Sequence, residues 1–136
     1  MLRRVHAAMA LLALAACTLA ACTPAGAAPD SRSVTITIHH SAFRPSELNV
    51  RPGETIRFVI RNTDPIDHEF IVGDQTVQDA HELGTESYHP PRPGEVTVRA
   101  GETVTTTFTF GAEDLLFGCH IPGHWAYGMR GDVLVG

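Results

Sequence analysis

Three side chains near the C-terminus are of the types that bind a soft metal ion. Cys119, His124 and Met129 follow one another at intervals of five residues in the string CHIPGHWAYGM. The other two cysteines and the other two methionines all lie in the first 22 residues. Cys119 therefore has no disulfide partner in the rest of the chain, which leaves a buried apolar role, a nucleophile, an intermolecular bridge or a metal ligand.

The spacing favours the metal ligand. Cys119 ends a predicted strand, and the Ile-Pro-Gly segment at 121–123 cannot continue it, so the chain must loop and can turn all three side chains toward one point. His68 follows a proline-containing turn, between the apolar residues Ile66 and Phe70, and would supply a second imidazole. One thiolate, two imidazoles and a weak thioether form the ligand set of copper that cycles between Cu(I) and Cu(II).

The elements that must position these side chains are predicted to be strands. Apolar and polar residues alternate with a period of two, and turn signals separate the alternating segments. Strands are predicted over residues 34–38, 55–62, 68–72, 95–99, 103–110, 115–119 and 130–135. Seven or eight short strands indicate an all-β fold, a Greek-key β-sandwich. Residues 73–94 are long and polar, and predict an inserted loop with one helical turn near 77–83.

Taken together, these segments resemble the cupredoxins, the plastocyanin/azurin family of blue copper proteins. The resemblance rests on three segments: residues 43–54, 62–70 and 119–129. It covers about residues 33–136, and the insert at 73–94 matches least. The first gap between the C-terminal ligands is longer than in plastocyanin. The spacing is more similar to that of the auracyanin, rusticyanin and sulfocyanin types.

This resemblance implies one type 1 copper ion, a cupredoxin-like fold and a set of roles. The implied ligands are two equatorial imidazoles, a thiolate and a long axial thioether: His68, His124, Cys119 and Met129. Asn62 or a neighbour would donate to the sulfur or tie the two ligand loops together. Electrons would pass through His124 across an apolar patch consisting of Ile121, Pro122, Trp125 and Tyr127. The protein would be a monomer and no enzyme, with redox proteins as partners.

Other histidines leave a second metal site open. His81 and His89 lie in the polar insert and could bind a metal together with Glu82 or Asp79, or could be solvated loop residues. His120 follows the cysteine ligand on an extended segment, so its side chain should point away from the metal.

The N-terminus is predicted to be an export signal. A short basic segment precedes an Ala/Leu-rich run that is too short and too rich in alanine for a membrane span. Leu-Ala-Ala-Cys motifs end at Cys17 and Cys22, and Cys22 is the better lipidation site; an ordinary soluble secretory signal is the alternative. The predicted organisation is a lipoprotein-type signal peptide (1–21), a flexible linker (22–32) and a copper-binding domain (33–136). The protein would lie in the periplasm or on the outer face of the cell membrane, held there by its lipid anchor.

Charge and motif content exclude several other classes. The net charge is -5, and the predicted domain has no run of basic residues, which argues against nucleic acid as a partner. One loop cysteine is too few for a two-copper centre, the haem-attachment motif Cys-x-x-Cys-His is absent, and Gly118 stands where a multicopper oxidase needs a further histidine. A Cys119/His124 hydrolase pair would leave Met129 without a role.

Two functions remain open for a copper protein of this kind. One is an electron carrier that cycles between Cu(I) and Cu(II). The alternative is a periplasmic or surface copper-binding protein for storage, delivery or tolerance, with the same ligands and no electron-transfer partner.

Overall fold

The computed structural model describes residues 31–84, 90 and 92–136. The predicted signal peptide, Cys22, most of the predicted linker and His89 lie outside the described residues. Within these ranges, no helix is both long enough and apolar enough to cross a membrane.

The described residues form nine strands and one helix. In chain order these are β1 (Ser31–Ile38), β2 (Phe43–Arg44), β3 (Glu47–Val50), β4 (Thr55–Asn62), β5 (His68–Gly73), α1 (Gln75–Glu82), β6 (Glu95–Val98), β7 (Thr103–Thr109), β8 (Leu115–Gly118) and β9 (Arg130–Val135). One sheet has the order β2-β1-β4-β7 and the other β3-β9-β8-β5-β6. Side chains of both sheets share one core, so the predicted all-β sandwich is confirmed.

Alternation along β4 shows why the sequence forms this sandwich. Ile56, Phe58 and Ile60 are fully buried, while Arg57 and Arg61 at alternate positions are exposed. Because side chains alternate across a strand, one face of β4 joins the core and the other meets water. β4 pairs with β1 in parallel and with β7 in antiparallel register, which places it inside its sheet.

The core is rich in phenylalanine close to the end of the sandwich where His68 begins β5. Phe70 lies 5.0 to 5.8 Å, centroid to centroid, from the rings of Phe43, Phe58 and Phe117. Both Cys119 and Met129 belong to this same buried cluster. Rings packed around a shared neighbour restrict the movement of the strand ends that carry the candidate ligands.

The predicted insert contains a full helix rather than one turn. α1 begins two residues earlier than predicted, because the Asp74 side chain caps it by accepting from the Val77 N–H at 2.9 Å. Gln78 on this helix is fully buried, and its Nε2 donates to the Ile71 carbonyl of β5 at 3.2 Å. All six residues of β5 are buried, since α1 covers the face that is turned away from the core.

Candidate metal centre

Two segments carry the candidate ligands to one end of the sandwich. His68 is the first residue of β5, and Cys119 directly follows β8. The loop after Cys119 is closed by its own backbone: the Cys119 N–H donates to the Met129 carbonyl at 3.1 Å, and the Met129 N–H to the His124 carbonyl at 2.9 Å. These bonds hold the loop residues at fixed positions opposite His68.

Three ligand atoms form a compact triangle. His68 Nδ1 lies 3.3 Å from His124 Nδ1, and Cys119 Sγ lies 3.3 Å from His124 Nδ1 and 4.0 Å from His68 Nδ1. A point equidistant from the three atoms is about 2.1 Å from each, close to the lengths of metal–imidazole and metal–thiolate bonds in proteins. Among the described residues, this is the one group of three histidine, cysteine or acidic side chains close enough to hold a metal ion.

Burial prepares the three groups differently. Burial raises the pKa of the Cys119 thiol to about 11 and lowers the pKa of both His68 and His124 below the ordinary histidine value. Both imidazoles are therefore neutral at pH 7 and can offer a lone pair. The thiol, in contrast, gives up its proton only when a cation takes the proton's place.

Asp64 orients the His68 ring, and the sequence analysis missed it. Asp64 Oδ2 lies 3.0 Å from His68 Nε2, so a proton on Nε2 leaves Nδ1 as the lone-pair nitrogen that faces the other two ligands. The N–H groups of His40 and Ser41 each donate to the Asp64 carboxylate at 2.7 Å. Both residues adopt positive φ angles, 53° and 50°, which turn the two amides toward the carboxylate.

The sulfur receives its hydrogen bond from a neighbour of His68. The Glu69 N–H donates to Cys119 Sγ at 3.3 Å, and a backbone hydrogen bond from Ile121 also acts on the thiol. The Glu69 carboxylate accepts from the His120 N–H at 3.2 Å. Glu69 therefore ties the two ligand segments together, the role expected of Asn62 or a neighbour. A charged residue in an otherwise apolar strand was the sequence signal for it.

Asn62 itself does not donate to the sulfur. Its Nδ2 donates to the carbonyls of Ile66, Val98 and Arg99 at 2.7, 3.1 and 3.0 Å, and its Oδ1 accepts from the Asp64 N–H at 2.9 Å. The expectation of a sulfur donor at this position is corrected: the Asn62 side chain fastens the turn before His68 to the end of β6. It holds Asp64 in place, and Asp64 in turn holds the His68 ring.

The fourth predicted ligand is next to the others along the backbone. The Met129 side chain is 1% exposed, and its main chain is bonded to both Cys119 and His124. His68 and Cys119 are fully buried, so His124 alone among the four is partly exposed. Its ring is the part of the set nearest to solvent, whereas the axial role of Met129 stays a prediction.

Surrounding residues agree only in part with the expected apolar patch. Tyr127 is 92% exposed and Pro122 is exposed, while Ile121 and Trp125 are partly buried. Trp125 packs against the Arg130 guanidinium, which lies 5.3 Å from its ring centroid. Ordinary packing therefore accounts for much of the tryptophan surface, while Tyr127 is left to solvent.

A second metal site in the insert is not assembled by the described residues. His81 Nδ1 is hydrogen-bonded to the Val77 carbonyl at 2.8 Å, and its Nε2 lies 3.5 Å from the Glu95 carboxylate. Because His89 lies outside the described residues, the paired site of His81 and His89 stays a prediction.

Comparison with known proteins identifies the family. Residues 31–136 match the family described as copper binding proteins, plastocyanin/azurin family. The chain belongs to this family. The predicted resemblance to the cupredoxins is confirmed, and the described residues bring together two histidines and one cysteine that could hold a metal ion: His68, Cys119 and His124.

Relatives and solved structures agree with this assignment. Copper-resistant cuproprotein CopI of Rubrivivax gelatinosus is 36% identical over 114 residues, which cover 80% of this chain and 69% of that protein. The protein of the same name from Pseudomonas aeruginosa is 30% identical over 143 residues, covering 80% and 78%. The crystal structure of reduced auracyanin from Roseiflexus castenholzii is 25% identical with a TM-score of 0.65, covering 79% of this chain and 98% of that one.

Proposed function

We propose that the protein binds one copper ion as a type 1 centre and carries single electrons outside the cytoplasm. The ligands would be His68, Cys119 and His124, with Met129 as a weak axial ligand. The observation that carries the proposal is the triangle of two imidazole nitrogens and one sulfur, 3.3 to 4.0 Å apart. Copper held there would supply a one-electron couple between Cu(I) and Cu(II).

The surroundings of the ligands favour redox cycling over simple binding. A soft thiolate suits Cu(I), and imidazole serves both oxidation states. The His68 ring is fixed by Asp64, and the Cys119 sulfur by the Glu69 N–H, in a region where the side chains are almost fully buried. Ligands that are held by the protein change little when the charge of the metal changes, which lowers the cost of moving an electron.

Electrons would leave through His124, since it alone of the four ligands reaches solvent. The exposed residues nearby, Pro122 and Tyr127, would form part of the surface that meets a redox partner. We assign no catalytic residues: all four side chains have a ligand role, and the protein is proposed to be no enzyme.

A second candidate function is copper tolerance, which the names of the two relatives favour. Both are called copper-resistant cuproproteins and share 30% and 36% identity with this chain. In that role the same ligands would hold or pass on copper, with no electron-transfer partner. Deleting the gene in the source organism and measuring growth at raised copper separates the two: copper sensitivity of the deletion strain that the wild-type gene reverses supports tolerance. Unchanged growth with impaired electron flow supports the carrier.

The location is proposed from the N-terminal sequence. The lipobox-like motif would place a lipid on Cys22 and hold the domain at the outer face of the membrane, with Cys17 or a soluble secretory signal as alternatives. Cys22→Ala should move the protein from the membrane fraction to the soluble fraction, whereas Cys17→Ala should not. Retention of the Cys22 variant on membranes would contradict lipidation at that residue.

The first experiment is the visible and electron paramagnetic resonance spectrum of the full-length protein with one equivalent of Cu(II). An intense blue or green band with narrow copper hyperfine splitting is expected, because it reports a thiolate on a type 1 centre. The band should vanish in Cys119→Ser. Met129→Gln should keep the band and lower the reduction potential. A colourless product with ordinary splitting in the wild type would overturn the proposal.

A further inference from the structure

Helix α1 contacts the loop that follows Cys119 through His120. The ring of His120 points away from the triangle, as the sequence predicts, and toward the helix. His120 Nε2 lies 2.7 Å from Gln78 Oε1, and Nδ1 lies 3.0 Å from Glu82 Oε2. Each ring nitrogen therefore faces an oxygen on α1, and the neutral ring donates its one N–H to one of the two. The side chain is 2% exposed, so water does not compete with these contacts.

Gln78 fastens the same helix to the strands that precede the ligands. Its Nε2 donates to the carbonyls of Ile71 and Gly73 at 3.2 and 3.3 Å, and lies 3.4 Å from the Leu116 carbonyl. These carbonyls belong to β5 and β8, the two strands that His68 begins and Cys119 follows. One fully buried amide thus connects α1 to both ligand-bearing strands and to His120.

The His120 ring also contacts the loop that follows Cys119, through its face. The ring stacks on Trp125 with centroids 4.8 Å apart and planes inclined by 28°. His120 directly follows Cys119, and Trp125 directly follows His124. The stack therefore connects the residues that follow two of the candidate ligands. Gly118 packs tightly against both the Trp125 ring and Gln78. A Cβ at Gly118 would lie 2.4 Å from the Trp125 ring and 3.1 Å from Gln78 Oε1, so the site has no room for a larger residue.

From these contacts we infer that His120 is a positioning residue, through which α1 braces the Cys119–His124 segment and slows copper release. This inference rests on the proposed function, because it concerns the stability of the same copper site. His120 makes no bond to the metal in this role, because its ring nitrogens face Gln78 and Glu82. The segment between β5 and β6, which the sequence predicts to match the cupredoxins least, would thereby take part in holding the metal.

The test compares copper-loaded full-length variants. His120→Phe keeps an aromatic ring against Trp125 but removes both contacts with α1. Its rate of copper loss to a Cu(I) chelator should rise about tenfold, the lower end of the effect of residues that orient metal ligands. Glu82→Ala should raise the rate in the same direction by a smaller factor. Glu82→Gln keeps an oxygen at that position, and its rate of copper release should be close to that of the wild type.

Gln75→Ala is the matched control, since Gln75 is exposed on the same helix and its side chain donates to Asp79 Oδ1 at 2.7 Å, within α1 itself. It should change neither copper release nor the reduction potential. Thermal unfolding of the metal-free variants separates bracing from general damage: His120→Phe should speed copper release and shift the reduction potential while the unfolding midpoint of the metal-free protein moves by only a few degrees.

The outcomes distinguish this inference from the proposed function. A wild type without the thiolate–copper band would overturn both. A blue wild type whose release rate is unchanged by His120→Phe and by Glu82→Ala would overturn the brace alone. The brace would also be wrong if Gln75→Ala accelerated release as much as His120→Phe, because the helix would then act only through its overall stability.

Discussion

Strand β4 has a buried carboxylate just beyond each of its ends, and the two carboxylates differ in the side chain that each one contacts. Glu54 precedes the strand and is 3% exposed; Asp64 follows it and is 7% exposed. Glu54 accepts one backbone N–H and Asp64 accepts two, and each carboxyl has a pKa below its ordinary value. Glu54 faces the Arg32 guanidinium at 2.7 Å, whereas Asp64 faces His68 Nε2 at 3.0 Å.

The difference lies in the partner. Arginine is always charged and has no lone pair to offer, so the Glu54–Arg32 pair can only hold chain segments together. Arg32 also donates from Nη2 to the Asn49 carbonyl of β3 at 2.6 Å, which joins the two sheets at that end. Histidine has a second nitrogen, and a carboxylate that fixes one nitrogen presents the other to a metal. A buried carboxylate therefore contributes to stability at one end of β4, where it is Glu54, and orients a candidate ligand at the other end, where it is Asp64.

The causes of the two pKa shifts reflect this. The Arg51 N–H, at 2.9 Å from Oε2, is the largest cause of the lowered pKa of Glu54, and Arg32 adds to it against the effect of burial. For Asp64, burial alone would raise the pKa. The N–H groups of Ser41 and His40, together with His68, outweigh it and keep the carboxylate charged.

The largest effect is expected from Asp64→Ala, measured as copper affinity by competition with a chelator. Without Asp64 the His68 ring is free to change tautomer and orientation, and the affinity should fall about tenfold to a hundredfold. Glu54→Gln is the control and should leave the affinity unchanged, because Glu54 lies at the other end of β4. Equal affinities for wild type and Asp64→Ala would show that the two carboxylates do not differ in the way described.

Next in size is the loss of stability in Glu54→Gln, measured on the metal-free protein by chemical denaturation at pH 7. The variant removes a charge-assisted hydrogen bond from a buried oxygen, so the free energy of unfolding should fall by about 1–2 kcal/mol. The lower end applies if the half-exposed Arg32 side chain finds water as a substitute. A variant as stable as the wild type would mean that the charged Glu54–Arg32 pair contributes nothing to the free energy of unfolding.

Local patterns explain what could be predicted from the sequence. The alternation in β4 and the turn signals around it are properties of neighbouring residues, and seven of the nine described strands follow from them. The candidate ligands stand out because thiol, imidazole and thioether groups recur at short spacing. In the structure the ligand atoms of His68, Cys119 and His124 lie within 4.8 Å of one another.

Long-range contacts explain what could not be predicted. Asp64 looks like any polar turn residue until the loop after β1 places two amides beside it. Gln78 looks like an ordinary helix residue until β5 and β8 surround it. The helix itself was expected to be a single turn, since a short polar segment carries little periodic signal without the strands it packs on.

A smaller effect should appear when the same two proteins are unfolded at decreasing pH. The folded-state pKa of Glu54 is below the ordinary 4.5, so folding favours the charged form, and this contribution is complete above about pH 5 and lost as the pH falls through the folded-state pKa. The stability difference between wild type and Glu54→Gln should therefore shrink steadily as the pH falls below the ordinary glutamate pKa and through the lower folded-state pKa. A difference that stays constant would assign it to packing instead of charge.

The smallest effect, and the sharpest for the comparison, is expected from Asp64→Asn. The amide oxygen can still accept from His68 Nε2 and from one backbone N–H, while the NH2 group faces the other N–H and loses that bond. Copper affinity should therefore stay within about threefold of the wild type, far above that of Asp64→Ala. Removing a negative charge near the site favours the less positive oxidation state, so the reduction potential should rise by about 30 mV, since 59 mV corresponds to a tenfold change for one electron. An affinity as low as that of Asp64→Ala would mean that the charge of Asp64, and not its hydrogen bond to His68, holds the ligand in place.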